Sequence, residues 1–267
     1  MSPNWIELDG LVNLRDVGGI GTVDGDKIKT GRLLRSDNLQ SLSDSDIIGL
    51  LRLGLTDVID LRSTLEVTSE GPGPLTARDE VRIHHHSMFR EGEPDVTEDH
   101  PDGEVEAAPS EALPWIDLEP SVRIDDRSAS FYLSYLVDRP DSVLAALRDI
   151  AEAPGAALVH CAAGKDRTGT IVALALSVAG ADRSEIIADY AASTERIEEI
   201  VNRLKQSPTY AENLRGRPLS SHHTLPETMQ GVLDYLDREH GGVLPYLRSI
   251  GWTDADTERL RAKLLAD

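Results

Sequence analysis

The chain has 267 residues, of which 40% are hydrophobic and 28% are charged, a composition that suffices for the core of a soluble domain. Its 27 Lys and Arg residues stand against 47 Asp and Glu residues, a net charge of −20, which disfavours nucleic acid as a partner because a polyanion requires a basic surface. The single cysteine, Cys161, excludes an internal disulfide and a multi-cysteine zinc site. The first ten residues lack the basic and apolar stretches of a secretory signal, so we expect a cytoplasmic protein without stable membrane insertion.

The first third of the chain is predicted to alternate between strands and helices. Strand patterns occur in four segments, at 13–20, 31–36, 56–61 and 81–86. A helix is predicted at 42–55, with Ser43 as its N-cap, Asp46 at the capping-box position and Gly54 at its C-terminal end.

An acidic segment at 91–126 interrupts this alternation. It contains thirteen Asp or Glu residues and a single Arg, and we predict a loop excursion without regular structure. Helices are predicted at 126–138 and 140–153, and a short apolar strand at 156–161 follows them.

The remainder of the chain is predicted to be mainly helical. Helices are predicted at 167–178, from a Ser184 N-cap past Tyr190, and at 194–205, 225–242 and 253–267, whereas 206–227 has no clear pattern. The alternation of strands and helices predicts an α/β fold with a mainly parallel central sheet flanked by helices. We expect residues 1–267 to form a single domain.

The most informative segment is VHCAAGKDRTGT, residues 159–170. It joins the end of a strand, a glycine-containing loop and the start of a helix. Backbone N–H groups of such a loop and the N-terminus of a helix attract anions, so the segment predicts a phosphate-binding site. The residues expected to bind substrate or a phosphate ion are His160, Ala162, Ala163, Gly164, Lys165 and Thr168.

Three side chains of this segment predict catalysis. Helix N-termini and nearby cations favour the thiolate form of a cysteine, so Cys161 is the expected nucleophile. Arg167 can hold two phosphoryl oxygens with its planar guanidinium group. Asp166, if protonated, would serve as the general acid for the leaving oxygen. The alternative is that Asp166 points away from the site and pairs with a nearby arginine.

Other residues of the segment are expected to support these three. The Thr168 hydroxyl is placed to hydrogen-bond the sulfur, and the His160 ring to orient the loop. Lys165 either selects substrates with more than one phosphate or merely keeps the rim of the loop solvated. Two other interpretations of the segment are a buried structural cysteine and a phosphate-binding loop without catalysis.

The segment fits H-C-x5-R-[ST], the signature of the cysteine-based protein tyrosine phosphatase superfamily, and its HCAAGKDRTG form resembles the atypical bacterial members. Other segments resemble that family in the same order along the chain: NLRDVGG, GRLLRSDNL, LGLTDVIDLRS, IIADYAAS and YLRSIGWTDADTERLRAKLL. The resemblance implies a protein tyrosine phosphatase-like fold and activity on phosphotyrosine, phosphoserine or phosphothreonine, and phosphoinositides. It also implies Cys161 as nucleophile, Arg167 as phosphate ligand and Asp166 as acid.

The chain departs from this family in two places. The segment 197–226, where the resemblance implies a helical lid, is short and interrupted by prolines. Conventional relatives take their acid from an upstream Trp-Pro-Asp loop, and the nearest match here, residues 115–117, has Ile in place of Pro. Asp117 is therefore an alternative acid, and Asp95 and Asp99 are weaker candidates.

Charged residues near two predicted strand ends have both a structural and a functional interpretation. Arg15 and Asp16 form an internal ion pair or buttress the phosphate loop. Arg35, Ser36 and Asp37 line the pocket or serve as structural caps.

Further along the chain, Arg62 and Glu66 have helical spacing, which indicates a solvated pair or a support of the loop. The consecutive histidines 84–86 do not predict a metal site, because neighbours in a strand point to opposite faces. Tyr190 is expected in the core, with a place along the substrate cleft as the alternative.

Together these features predict a metal-independent, cofactor-free phosphomonoesterase acting through a phosphocysteine intermediate. A phosphorylated protein is the first choice of substrate, with dual specificity for its phosphorylated residues. The alternatives are a small-molecule phosphatase for a sugar, nucleoside or inositol phosphate, and a phosphate-sensing module without turnover. The sequence contains no signal for an oligomeric state.

Overall fold

The computed structural model describes residues 2–90 and 119–265. Across these residues six strands form one sheet in the order β1-β2-β3-β6-β4-β5. The strands are β1 (Asn4–Trp5), β2 (Arg15–Asp16), β3 (Leu33–Ser36), β4 (Leu55–Asp60), β5 (Arg82–His85) and β6 (Ala156–His160). Strands β3, β6, β4 and β5 are parallel neighbours, whereas β1 and β2 extend the β3 edge in antiparallel fashion. The expected α/β architecture with a mainly parallel sheet is therefore confirmed.

Helices cover both faces of this sheet. In chain order they are α1 (Asp44–Arg52), α2 (Thr64–Glu70), α3 (Arg127–Asp138), α4 (Pro140–Glu152), α5 (Asp166–Ala179), α6 (Arg183–Ala191), α7 (Ile197–Gln206), α8 (Pro208–Leu214), α9 (Pro226–His240), α10 (Val243–Ser249) and α11 (Asp254–Leu264). Short 3-10 turns occur at Pro74–Ala77, Ala192–Arg196 and Leu219–His222.

The central strand, β6, is buried along its whole length. Its alternating side chains divide between two hydrophobic clusters: Ala157 and Val159 pack with α3, α4 and α5, and Ala156 and Leu158 pack with α1 and β4. Burial on both faces is the reason that this strand reads as a continuous apolar run. Because β3, β4 and β6 are parallel, their carboxyl ends meet at one edge of the sheet, where His160 lies level with Ser36 and Asp60.

Local signals place several helices where the sequence predicts them. Ser43 caps α1, and its hydroxyl accepts a hydrogen bond from the Asp46 N–H, while the Asp46 carboxylate accepts one from Ser43 N–H, as expected for a capping box. Thr253 and Asp256 form the same arrangement at α11. Helix α5 ends at Gly180, whose φ of 84° allows the left-handed turn that stops the helix.

The structure differs from the predictions in several helices, among them α2, which was not predicted. Helix α6 begins at Arg183, because the carboxylate of Asp182, not Ser184, accepts the capping hydrogen bond. The pattern-free segment 206–227 contains α8, which is held by burial of Tyr210 and Leu214. Helix α10 was not predicted; it follows Gly242, whose φ is 121°.

The acidic segment is described only in part. Residues 91–118 lie outside the described residues, and 119–126 lead without regular structure into α3. In the parts of the chain at 2–90 and 119–265, no helix is long and apolar enough to cross a membrane.

Candidate active site

The loop 161–165 joins the carboxyl end of β6 to the first turn of α5. Gly164 adopts a φ of 67°, and a Cβ placed on it would lie 2.2 Å from the backbone oxygen of Ser36. Only glycine therefore allows the loop to pass this close to the end of β3. This position explains the glycine of the motif in terms of backbone geometry.

Three carbonyl groups of the loop are bound from outside. The Asn13 side chain donates to the Ala163 oxygen at 2.8 Å, Arg35 Nη2 donates to the Gly164 oxygen at 2.9 Å, and Asn38 N–H donates to the Ala162 oxygen at 3.0 Å. With the carbonyls engaged on one side, the peptide N–H groups are turned to the other. None of the described residues accepts a hydrogen bond from the backbone N–H groups of 162–168, and such a row of donors suits a phosphoryl group.

Asp189 on α6, whose side chain is 9% exposed, ties the supports of the loop together. It binds Arg15 Nε at 2.8 Å and Arg35 Nη1 at 2.5 Å, and Arg15 also donates to the Asn13 side-chain oxygen at 2.7 Å. Burial alone would raise the pKa of Asp189, but the charges of Arg15 and Arg35 hold it below its usual value. Burial and the charge of Arg35 lower the pKa of Arg15 to about 10.

This network decides between the alternatives for the residues near the strand ends. Arg15 pairs with Asp189 rather than with Asp16, whose carboxylate accepts the N–H groups of Gly18 and Gly31. The predicted Arg15–Asp16 pair is therefore wrong, because the extended backbone sends these neighbours to opposite faces of β2. Arg35 lies behind the loop as a support and does not line the cavity.

Ser36 and Asp37 are structural as well. The Asp37 carboxylate accepts hydrogen bonds from the N–H groups of Val12 and Asn13 and from the Ser36 hydroxyl. Arg203 of α7 lies 3.4 Å from the same carboxylate. These bonds fasten the segment after β3 to the N-terminal segment and to α7.

Cys161 lies at the bottom of a cavity of about 360 Å³ and is only 2% exposed. The cavity is shared by residues of the loop, α3, α7 and the segment after α8, including Arg127, Phe131, Tyr132, Tyr135, Cys161, Ala162, Ala163, Lys165, Asp166, Arg167, Ile197, Ile200, Val201, Leu204, Leu214, Arg217 and His222. The predicted nucleophile, phosphate ligand and acid thus face one space. A buried sulfur that still borders a cavity is accessible to a narrow group entering from that side.

Arg167 is held in place by Glu66. The carboxylate accepts from Arg167 Nη1 at 2.5 Å and from Nη2 at 2.9 Å, and the Phe89 ring lies 4.9 Å from the guanidinium carbon. Burial would lower the pKa of Arg167, but the charges of Glu66 and Cys161 raise it well above its usual value. Arg167 Nε has no hydrogen-bond partner among the described residues, which leaves it available to an oxyanion.

The expected pairing of Arg62 with Glu66 is wrong, because each residue pairs with a different partner. Helix α2 begins at Thr64, so Arg62 lies before it, and Arg62 binds Asp60 at 2.6 Å instead. Glu66 keeps the second of the predicted roles, since it supports the site through Arg167.

The His160 ring lies between the loop and the end of β4. Its Nδ1 is 3.3 Å from the Cys161 carbonyl oxygen, and its Nε2 is 3.5 Å from Asp60 Oδ1. Burial lowers the pKa of His160 to about 4, so the ring is neutral near pH 7. Burial alone would raise the pKa of Asp60, but His160 and Arg62 hold it well below its usual range.

Asp166 does not pair with an arginine among the described residues. Its Oδ1 accepts a hydrogen bond from the Tyr132 hydroxyl, and its Oδ2 lies 3.6 Å from Lys165 Nζ. The side chain lines the cavity and is 15% exposed. The carboxyl group therefore faces the cavity, and its role as the general acid stays a prediction.

Lys165 and Thr168 behave differently from one another. Lys165 Nζ donates to the His222 backbone oxygen at 2.7 Å, so the ammonium group links the loop to the segment after α8 rather than merely hydrating a rim. The Thr168 hydroxyl is buried without a hydrogen-bond partner in the described parts of the chain. Its bond to the sulfur stays a prediction.

The segment 197–226 lies beside the cavity. Apolar side chains of α7 and α8 pack on the loop residues Ala162 and Ala163. The segment therefore covers one side of the site despite its prolines, and Pro208 is accommodated in the first turn of α8. Its function as a lid stays a prediction.

The remaining candidates lie away from the reacting groups or outside the description. Histidines 84 and 86 both contact Asp149, and His85 Nε2 donates a hydrogen bond to the Arg62 backbone oxygen on the other face, as strand alternation predicts. No group of metal-binding side chains occurs within 2–90 and 119–265. Tyr190 is buried in the core. Residues 115–117, Asp95 and Asp99 lie outside the described residues.

Sequence reasoning missed several residues that shape the site. Asn13, Asp189, Tyr132 and Phe89 contact the loop, its supports or its catalytic side chains. Asn13 and Asp189 occur in segments that the family resemblance already singled out, which is a signal that could have found them. Tyr132 and Phe89 carry no such signal in a single sequence.

Comparisons with known proteins agree with the geometry of this site. A sequence profile of the tyrosine phosphatase family matches residues 6–266. The chain is 30% identical to the triple specificity protein phosphatase PtpB of Mycobacterium tuberculosis, over 97% of this chain and 98% of that protein. It is 28% identical to a tyrosine-protein phosphatase of Nostoc commune, over 89% of this chain and 75% of that protein.

Proposed function

Because this chain belongs to the tyrosine phosphatase family, we propose that it is a cysteine-dependent phosphomonoesterase that hydrolyses phosphotyrosine. We extend the proposal to phosphoserine, phosphothreonine and phosphoinositides, since one relative is named a triple specificity phosphatase. The observation that carries the proposal is that Cys161, Asp166 and Arg167 line one cavity together with a loop whose N–H groups, at 162–168, have no acceptor among the described residues.

In the first step the Cys161 sulfur forms a bond to phosphorus while the bond from phosphorus to the leaving oxygen breaks. Asp166 transfers its proton to that oxygen, so the product leaves as a neutral alcohol or phenol. Arg167 and the N–H groups of 162–168 stabilise the negative charge on the other three phosphoryl oxygens. The product of this step is a phosphocysteine.

In the second step a water molecule attacks the phosphocysteine. A new oxygen–phosphorus bond forms, the sulfur–phosphorus bond breaks, and the proton of the water goes to Asp166. Inorganic phosphate leaves and the thiolate of Cys161 is restored. The positive charge that both steps require comes from Arg167 and the backbone, so the proposed mechanism uses no metal ion.

The depth of the cavity supports an aryl phosphate as substrate. Cys161 is almost fully covered, and the aromatic side chains of Phe131, Tyr132 and Tyr135 form part of the wall. A phosphotyrosine side chain is long enough to bring its phosphate to the floor of such a cleft, and its ring can pack against aromatic neighbours.

A small-molecule phosphatase is the second candidate function. The cavity has the volume of a typical small-ligand site, and α7 and α8 cover one side of it. A free sugar, nucleoside or inositol phosphate could enter such a space entirely. We test the two candidates against each other by comparing kcat/KM for phosphotyrosine peptides, phosphoserine peptides, short-chain phosphoinositides and metabolite monophosphates.

The chemistry is tested by changing the nucleophile. We expect Cys161→Ser to abolish turnover of p-nitrophenyl phosphate while the variant still binds vanadate, and EDTA to leave the wild-type rate unchanged. Arg183, an exposed residue paired with Asp234 and Asp237, offers the control Arg183→Lys, which should retain full activity. Turnover by the Cys161→Ser variant would contradict the proposed mechanism.

We further propose that residues 1–267 act as one catalytic domain in the cytoplasm. The site draws on residues as distant as Asn13 and His222, which supports a single unit. A catalytic free thiol is best preserved in a reducing compartment, which supports the location. Cell fractionation with an antibody to the chain would test this location.

A further inference from the structure

Asp166 is the end of a chain of hydrogen-bonded hydroxyl groups. The Tyr132 hydroxyl donates to Asp166 Oδ1, and the Tyr190 hydroxyl lies 3.0 Å from the Tyr132 hydroxyl. Tyr132 comes from α3, Tyr190 from α6 and Asp166 from the first turn of α5. Three helices that are distant in sequence therefore meet at the proposed general acid.

Packing fixes the two phenol rings. Tyr132 is 4% and Tyr190 1% exposed, and their ring centres lie 6.1 Å apart in an edge-to-face arrangement. A Cβ placed on Gly169 would lie 2.8 Å from the Tyr190 ring, so α5 and that ring are in close contact. The hydroxyl groups consequently have little freedom to point elsewhere.

The order of donors in this chain follows from chemistry. An ionised carboxylate only accepts hydrogen bonds, so Tyr132 must donate to Asp166, and its oxygen is then free to accept from Tyr190. Burial and the charge of Asp166 raise the pKa of Tyr132 well above its usual value, which keeps the donating proton in place. Because Oδ1 is occupied by this bond, Oδ2 is the oxygen left to carry a transferable proton.

We propose that Tyr132, supported by Tyr190, is a positioning residue that orients the Asp166 carboxyl group so that Oδ2 delivers its proton to the leaving oxygen. The inference rests on the proposed function, because it assigns a hydrogen-bond partner to Asp166, the general acid of the proposed mechanism. Tyr132 itself need not touch the reacting atoms. Its effect should therefore appear only where the leaving group requires a proton.

Several other groups face Asp166 and must stay unchanged in the test. Lys165 lies 3.6 Å from Oδ2. Tyr135 of α3 and His222 beside the cavity interact electrostatically with Asp166, and Arg167 of α5 interacts with Tyr135. Arg35 and Asp126 interact in the same way with Tyr190. A substitution of the Tyr132 hydroxyl alone removes one donor and leaves these charges in place.

The experiment compares two aryl phosphates that differ in their need for an acid. Phenyl phosphate releases a basic phenolate, whereas p-nitrophenyl phosphate releases a stabilised anion. We expect Tyr132→Phe to lower kcat/KM for phenyl phosphate about ten-fold, because part of the effect of the general acid is lost. For p-nitrophenyl phosphate, kcat/KM should stay within about two-fold of the wild-type value. The inhibition constant of vanadate should not change, because binding of the phosphoryl group is untouched.

The pH profile gives a second readout. The basic limb of kcat/KM for phenyl phosphate should move to higher pH in Tyr132→Phe, because the carboxylate loses a donor that stabilises its charged form. Tyr190→Phe should shift the same limb in the same direction by a smaller amount. In Asp166→Asn, adding Tyr132→Phe should cause no further loss, since the two residues act as one unit.

Tyr246→Phe is the matched control. It removes one buried hydroxyl that donates to the Leu136 backbone oxygen at 2.8 Å, away from the site, so both substrates should be turned over at the wild-type rate. The inference would be overturned if Tyr132→Phe lowered kcat/KM equally for both substrates, or for neither, while Asp166→Asn lowered it more for phenyl phosphate than for p-nitrophenyl phosphate. If Asp166→Asn turns over phenyl phosphate at the wild-type rate, the acid and its positioning residue both fail. Turnover by Cys161→Ser would refute the proposed function itself.

Discussion

Glu66 and Arg167 form two parallel hydrogen bonds between almost fully buried side chains, whose exposures are 0% and 1%. The carboxylate stabilises the guanidinium group and leaves its Nε for a ligand. Each member of such a pair depends on the other, because an uncompensated buried charge is costly.

Glu66→Gln keeps the shape of this side chain and removes its charge. We expect kcat/KM for an aryl phosphate to fall by about one hundred-fold, since Arg167 loses its orientation. The free energy of unfolding should fall by about 3 kcal/mol, as for other broken buried pairs. Glu152→Gln is the control, because it alters an exposed pair with Arg259, and its stability should change by less than about 1 kcal/mol. Full activity of Glu66→Gln would contradict the role of this pair.

Gly164→Ala tests the close approach of the phosphate loop to β3. The added methyl group would lie 2.2 Å from the Ser36 oxygen, so the loop must move and we expect both vanadate binding and turnover to be lost. Gly25→Ala is the matched control: it also has a positive φ, of 91°, but nothing lies within 4 Å. That variant should cost about 1 kcal/mol of stability from backbone strain alone and remain active. Equal behaviour of the two variants would show that the contact with Ser36 is unimportant.

The neutral His160 ring predicts a loss of stability in mild acid. Its pKa is lowered from 6.5 to about 4 in the folded protein, so between these pH values the unfolded chain binds a proton that the folded protein does not. Unfolding free energy should therefore fall by about 3 kcal/mol from pH 7 to pH 4 on account of this residue.

Urea unfolding of wild type and His160→Asn across this range measures the effect. The difference between the two curves removes the contribution of Asp37, whose pKa is raised by burial and which acts in the opposite direction. His223→Gln, a change at an exposed residue, should follow the wild-type curve. Parallel curves for wild type and His160→Asn would contradict the prediction.

Lys165→Met tests the link between the phosphate loop and the segment after α8. Without the bond from Nζ to the His222 oxygen, hydrogen exchange of the amides in 218–224 should become about ten-fold faster, as for the loss of one charge-assisted hydrogen bond. Lys205→Met, at an exposed position of α7, should leave exchange unchanged. Unaltered exchange in Lys165→Met would show that the segment is held by its other contacts alone.

The parts of this protein that sequence reasoning predicted well are those encoded locally. The apolar runs of β3, β4 and β6 and the capping box of α1 depend on neighbouring residues, and each lies where its pattern indicates. The motif from His160 to Thr168 likewise contains its loop and helix start in consecutive residues. Local order was enough to bring Cys161, Asp166 and Arg167 to one cavity.

The choice of partners could not be predicted in the same way. Spacing suggested Arg62 for Glu66, but the carboxylate binds Arg167, 101 positions away. Arg15 likewise binds Asp189, 174 positions away, and not the adjacent Asp16. Such pairs depend on which faces the fold brings together, and a single sequence holds no local signal for that. Helix α8 escaped prediction for a related reason, since burial of Tyr210 and Leu214 rather than helical propensity holds it.

The anchoring of the phosphate loop by Asn13, Arg35 and Asp189 has a consequence for folding and for transfer of the motif. The shape of the loop is a property of the whole tertiary structure, so a peptide of 156–180 would contain all the reactive groups and still fail to act. A partly folded chain with an unformed N-terminal edge would be equally inert. Grafting this chemistry onto another scaffold would require carrying the three anchors along with the ten-residue signature.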